Sequence, residues 1–285
     1  MKPADFEFVA QLLKRRSGLV LTPDKGYLIE SRFAPLARQL QLASVDAIIA
    51  KLRAGDEPIA RAVTEAMTTN ESFFFRDKTP FEHFEKIILP KMLQARAATK
   101  RLRIWCAAAS SGQEPYSLAM ILKEKALLLK DWKVDIVGTD LSTEILAKAT
   151  SGLYTQFEVQ RGLPIQLLMK YFTKEGEAWR IKEEVRSMVQ YRPANLLDPY
   201  TGMGSFDIVY CRNVLIYFDE ATKKNILMRI GQLMPADGYL LLGAAETVVG
   251  LTTAFSPLEG ARGLYVKGTP ATPAVAVPVA KAVGA

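Results

Sequence analysis

The chain has 285 residues, 49% of them hydrophobic, with a net charge of +7 and a single histidine, His83. That size supports one large domain and a smaller companion, and the lone histidine excludes a Ser-His-Asp triad and most zinc sites. No apolar run has transmembrane length, the start lacks the basic-then-apolar order of a signal peptide, and Cys106 and Cys211 are too few for a disulfide framework, so a cytoplasmic protein with reduced thiols is expected.

Residues 1–77 read as a helical N-terminal domain. Phe6, Val9, Leu12 and Leu13 share one helical face, which Ser17-Gly18 ends. Thr22-Pro23-Asp24 opens a second helix over Tyr27–Leu42, and Ser44–Leu52 and Pro58–Thr68 form two more. Residues 78–98 read as a helical connector interrupted at Pro90, with His83 structural. From there the texture changes. Short apolar runs at Leu102–Cys106, Val134–Gly138, Phe206–Tyr210 and Tyr239–Gly243 alternate with helical stretches at Glu114–Leu129, Glu144–Ala149 and Glu220–Met234. Strands alternating with helices require crossovers and hence a mainly parallel α/β sheet. Gly263–Lys267 reads as a closing edge strand. The alternation breaks over about 152–194, where Phe172–Ile181 looks like a turn between strands and predicts a small antiparallel β insertion. The domain over 78–268 is followed by an Ala/Pro/Val-rich stretch, 269–285, expected to be a disordered tail.

A sheet of this kind binds ligands at the carboxyl ends of its central strands. Trp105–Ser117 follows the first such strand with small residues, Gly112 and an early-helix Pro115; it is either a tight strand–helix turn or a place where a ligand meets backbone. Asp140, ending the second strand, can accept both hydroxyls of a ribose or cap the helix starting near Ser142. Ala107–Glu114 contains neither lysine nor a glycine-rich nest for phosphate, and Glu114 would repel a pyrophosphate while suiting an amino group. That chemistry favours S-adenosylmethionine over NAD or ATP. Arg212 and Asn213 end the third strand, either as a polar network capping the sheet or beside the methionine portion of the cofactor.

Four segments together resemble the bacterial chemotaxis receptor methyltransferases, the CheR family: Met67–Asp77, Ala107–Ser117, Gly138–Ser142 and Phe206–Phe218. The resemblance runs from the helical region to Lys267. It implies a Rossmann-like methyltransferase sheet behind an all-helical domain, and methyl esters formed on glutamates of the cytoplasmic helices of methyl-accepting chemoreceptors, for adaptation in chemotaxis signalling. The second product would be S-adenosylhomocysteine. On matching positions it implies cofactor contacts at Asn70, Ser72, Arg76, Glu114, Asp140, Asn195, Leu196, Arg212 and Asn213, with Arg76 and Tyr217 as catalytic residues. Ser72 stands where the family often has threonine, and Gln113 where it often has an acidic residue.

A glutamate acceptor is already ionised at neutral pH, so the reaction needs alignment more than a base. Receptor helices are predominantly acidic, and Arg32, Arg38, Arg53 and the Lys14-Arg15-Arg16 cluster are candidates for a basic recognition face or for ordinary solvated cations. The compact stretch Thr173–Val189 has no extended glycine-rich loop, which points away from docking on a receptor C-terminal peptide. A monomer with no membrane insertion is expected. Nucleic acid is not an expected partner, because the Asn/Asp-Pro-Pro-Tyr run typical of base methylation is missing. A cofactor-binding sensor without catalysis is the non-enzyme alternative.

Overall fold

The computed structural model describes residues 1–268, so the expected tail, 269–285, lies outside the described residues. Four helices open the chain: α1 (Pro3–Ser17), α2 (Gly26–Gln39), α3 (Val45–Arg53) and α4 (Glu57–Ala66). Each boundary has a local cause. Gly18 closes α1 at φ +77°, while Ser44 and Asp56 cap α3 and α4 by accepting from Ala47 and Ile59 N–H. The second helix stops short of Leu42 because Gln41 turns left-handed and Leu42 N–H folds back to the Ala37 carbonyl. The helices close around their own core of Val9, Leu13, Ile29, Phe33, Ile48 and Val63.

The connector holds α5 (Thr79–His83), a widened turn at Phe84–Ile88 and α6 (Leu89–Ala95). Pro90 does not interrupt it. Instead Leu89 N–H reaches back five residues to the Phe84 carbonyl, and this widened turn accommodates a proline that has no N–H of its own. Then follow β1 (Arg101–Ala107), α7 (Gln113–Glu124), β2 (Lys133–Asp140), α8 (Thr143–Ser151), β3 (Leu153–Thr155), α9 (Gln156–Gln160), α10 (Ile165–Tyr171), β4 (Phe172–Glu175), β5 (Ala178–Ile181), α11 (Glu183–Arg186), β6 (Val189–Pro193), β7 (Ile208–Cys211), α12 (Glu220–Gln232), β8 (Tyr239–Leu242), β9 (Phe255–Pro257) and β10 (Leu264–Lys267).

The large sheet has the order β6-β2-β1-β7-β8-β10-β9, parallel from β6 to β8 and antiparallel beyond. Two expectations change here. Residues 264–267 are not the edge, because β9 pairs outside them. The β insertion also ends earlier than 194: β3, β5 and β4 make a separate antiparallel sheet, whereas Val189–Pro193 joins the large sheet beside β2. Cys106 and Cys211 sit on adjacent strands but in cores on opposite faces of the sheet, which keeps the thiols apart. Among the described residues no helix is long and apolar enough to cross a membrane, and no cluster of His, Cys, Asp and Glu could hold a metal ion.

Candidate functional site

Strand β1 has β2 on one side and β7 on the other, so the chain leaves it in opposite directions and a crevice opens at its carboxyl end. A cavity of about 1040 Å³, including its open mouth, fills this crevice and is roofed by the α4–α5 segment. Its lining brings together Asn70, Ser72, Arg76, Glu114, Asp140, Asn195, Leu196, Arg212, Asn213 and Tyr217.

The loop after β1 makes its turn with little glycine. Ala108, Ser110 and Gly112 all have positive φ, at 57°, 50° and 90°, and only the last is glycine. Gly112 suits the turn because a side chain at φ 90° would be strained and its Cβ would stand 2.5 Å from Tyr191 Oη. The turn aims Ser110 N–H at Asp140 Oδ2 (2.9 Å), while Asp140 Oδ1 accepts from Ser142 N–H at 3.0 Å. Ser142, not Asp140, caps α8, its hydroxyl accepting from Ile145 N–H. Asp140 is thereby fixed at the cavity wall with acceptor capacity left on both oxygens. Burial pushes its carboxyl above the ordinary range, against the backbone N–H groups of Ser142, Ser110 and Leu141 that hold it down.

Glu114, in the first turn of α7, is paired with a buried cation. Arg212 Nη1 donates to Glu114 Oε2 at 2.6 Å, and Nη2 donates to Asp77 Oδ2 at 2.7 Å and to the Arg76 carbonyl at 3.0 Å. Arg212 therefore supports the cavity through Glu114 and the roof, rather than only lining it. Burial drives the Glu114 carboxyl upward and Arg212 opposes that rise. Gln113 faces inward to accept the Ser111 hydroxyl, away from the cavity, so its departure from the family pattern leaves the wall unchanged.

The roof, residues 67–77, is anchored by Phe74, fully buried edge-on against Tyr154 and Phe172. Phe75 N–H donates to Ser117 Oγ and Ser110 Oγ to the Asn70 carbonyl. Arg76 donates to the Glu71 carbonyl at 2.8 Å, and Arg76 and Arg161 both stack on the Phe73 ring. The far wall is α1. Asn195 Nδ2 donates to the Arg16 carbonyl at 2.6 Å, Val20 N–H donates to the Tyr217 carbonyl at 3.0 Å, and Lys14 pairs with Asp219 at 2.8 Å.

The cations expected to form a basic recognition face are placed differently from one another. Arg32 turns inward, donating to Thr68 O at 2.6 Å and to Thr69 Oγ1, and so ties α2 to the roof. Arg53 pairs with Asp5 and stacks on Phe8, and Arg16 pairs with Glu57. Arg38 and Arg15 are exposed and make no ion pair among the described residues. Sequence reasoning missed Asp77, the second carboxylate on Arg212, and Glu246, whose carboxylate collects the N–H groups of the turn after β7. The only sequence signal for Glu246 was an acidic residue just past an apolar strand.

The cavity suits the cofactor read from the sequence. Glu114 and Asp140 stand in its wall for an amino group and ribose hydroxyls, with Glu71 on the roof, and no lysine or glycine nest is present for phosphate among the lining residues. Residues 70–264 match the family model for the CheR methyltransferase S-adenosylmethionine-binding domain, and residues 4–68 match that for the CheR methyltransferase all-alpha domain. The chain is 40% identical over 268 residues to chemotaxis protein methyltransferase 1 of Pseudomonas aeruginosa, covering 93% of this chain and 97% of the relative. It is 38% identical over 270 residues to a chemotaxis protein methyltransferase of Vibrio parahaemolyticus (92% and 96% covered), and 35% identical over 263 residues to that of Salmonella typhimurium (90% and 88% covered). With both family domains in order along one chain and their polar residues converging on one cavity, the protein belongs to the CheR family of S-adenosylmethionine-dependent chemotaxis methyltransferases.

Proposed function

We propose that the protein methylates glutamate side-chain carboxylates on the cytoplasmic helices of chemoreceptors. The observation that carries this reading is the cavity's equipment: Arg76 and Tyr217 line it with Glu114 and Asp140, and His83 is not among its lining residues. A site with a cation and a hydroxyl but no histidine suits an acceptor that arrives already ionised. S-adenosylmethionine supplies an electrophilic methyl group on a sulfonium centre. The chain's own residues do the rest. Glu114 and Asp140 hold the amino group and the ribose, and the roof and α1 exclude water. Arg76 orients the incoming carboxylate, and Tyr217 donates a hydrogen bond beside the reacting atoms. Arg76 bonds only a backbone carbonyl, so it can guide an anion without clamping it; a tighter ion pair would stabilise the ground state and slow transfer.

The β4–β5 connection is only Gly176-Glu177, which supports recognition of the receptor body without a C-terminal peptide tether. Arg38 and Arg15 remain as exposed cations for an acidic rod. The test is transfer of labelled methyl from S-adenosylmethionine into receptor membranes, with release of the label by alkali. Tyr217→Phe should cut turnover by about 10²-fold while S-adenosylhomocysteine affinity holds, and Arg76→Ala should cut turnover by about 10²-fold or more. Full turnover in both variants, or label that alkali does not release, would sink the reading.

A further inference from the structure

Tyr217 has no rigid element of its own. It ends the short turn Leu215–Tyr217 after β7, and its hydrogen bonds among the described residues are on its backbone, from its N–H to the Val214 carbonyl and from Val20 N–H to its own carbonyl. What fixes the turn is one buried carboxylate from the loop after β8. Glu246 Oε2 accepts from Asn213 N–H and Gly243 N–H, both at 2.7 Å. Glu246 Oε1 accepts from Leu215 N–H at 2.7 Å, from Val214 N–H at 2.9 Å and, more weakly, from Ile216 N–H at 3.4 Å. Four successive N–H groups thus converge on one anion, a geometry the turn reaches by placing Asn213 at φ 58°. Gly243 permits the approach, because a Cβ there would stand 2.7 Å from Glu246 Oε2 and 2.8 Å from Asn213 Oδ1.

We infer that Glu246 is a positioning residue for methyl transfer: its carboxylate sets the 213–217 turn and through it the place of the Tyr217 ring at the cavity. The inference rests on the reading that Tyr217 touches the reacting atoms. Glu246 touches none of the other cavity carboxylates' supports. Glu114 is held by Arg212, and Asp140 by the loop after β1. Loss of the Glu246 anion therefore leaves Glu114 and Asp140 in place and moves the 213–217 turn, so the cofactor loses at most its contact with Asn213 while the tyrosine is displaced. Charge-assisted bonds of this kind are the strong ones, and an amide in their place turns a donor toward donors.

The experiment compares Glu246→Gln, Tyr217→Phe and the double variant in the full chain, measuring methyl transfer to receptor membranes and S-adenosylhomocysteine binding by calorimetry. Glu246→Gln is expected to lower kcat about 10²-fold, with receptor KM and S-adenosylhomocysteine Kd within about fivefold of wild type. The double variant should be no slower than the slower single one, since both changes remove the same contact. Gly243→Ala, which crowds the same oxygen, should show the same split and serves if Glu246→Gln fails to fold. A slow Tyr217→Phe beside a Glu246→Gln at wild-type turnover overturns the role of Glu246. So do multiplicative losses in the double variant, or a Kd that rises in proportion as kcat falls in both Glu246→Gln and Gly243→Ala. Wild-type turnover in Tyr217→Phe overturns instead the reading on which the inference stands.

Discussion

Replacing Arg212 by methionine tests whether the cavity wall is built on a buried ion pair. The Arg212 side chain is 1% exposed and Glu114 13%, whereas Asp77, the other carboxylate on the guanidinium, is 42% exposed and can return to water. The cost of Arg212→Met therefore falls mainly on Glu114, left buried without its cation. Removing one partner of such a pair destabilises by about 3–5 kcal/mol, while replacing both can be nearly neutral. Glu114→Gln/Arg212→Met should accordingly recover most of the loss and lie within about 2 kcal/mol of wild type. Acid should rescue the single variant as well. Burial already drives the Glu114 carboxyl upward against Arg212, so without the guanidinium it takes a proton at still higher pH and the unpaired charge disappears. The assay is urea unfolding followed by tryptophan fluorescence, since Trp105, Trp132 and Trp179 all lie outside the helical domain. A single variant within about 1 kcal/mol of wild type at neutral pH would refute the reasoning, as would a double variant no more stable than the single one.

Two further outcomes follow from the same wall. Burial raises the carboxyls of Glu114 and Asp140, whereas Lys14 holds Asp219 low and Arg96 holds Asp237 low. The raised pair contributes stability that is fully present below the unfolded value, about 4, and lost as pH rises through the folded value; the lowered pair contributes stability present above about 4 and lost only as pH falls through the folded values. Acidification should therefore remove S-adenosylhomocysteine affinity before the fold, checked by calorimetry alongside circular dichroism; unfolding at or above the pH where affinity is lost would contradict it. In the loop after β1, Ala108→Gly should be neutral or stabilise by up to about 1 kcal/mol, because relief of left-handed strain outweighs the added chain entropy. Gly112→Ala should cost about 2–4 kcal/mol from strain and overpacking against Tyr191. Equal effects of the two changes in thermal unfolding would show that φ does not govern this loop.

The sequence made the repeating parts legible. Apolar runs marked β1, β2, β7 and β8 because those strands are buried on both faces, and the residues at their carboxyl ends were chemically conspicuous enough to locate the cavity. Strand β6 was not legible, since Val189-Gln-Tyr-Arg-Pro is a mostly exposed edge whose place depends on pairing with β2. The destinations of long cations were hidden for a similar reason. Arg32 and Lys14 look like surface charges until α2 meets the roof and α1 meets the turn before α12, contacts that span 36 and 205 residues of sequence for Thr68 and Asp219. Glu246 was hidden because its partners are backbone N–H groups, which carry no side-chain signature.

On the proposed reading, the arrangement of charge lets one cavity serve two reactants of opposite sign. Glu114 and Asp140 stand on the sheet side, where a cationic sulfonium cofactor is favoured, and Arg212 lies behind Glu114 with its guanidinium shielded from the cavity's solvent. Arg76 on the roof and Arg161 just after α9 flank Phe73, each with one carbonyl or carboxylate partner at Glu71, so the roof around Phe73 carries net positive charge beside the cavity. A reversed order would repel both reactants. The helical domain contributes to this arrangement mainly by placement. Its clasps run through Arg32, Lys14 and Asn195, and each holds a segment of the wall. If that domain meets an acidic partner as proposed, exposed cations such as Arg38 add an attraction that salt screens over about 10 Å.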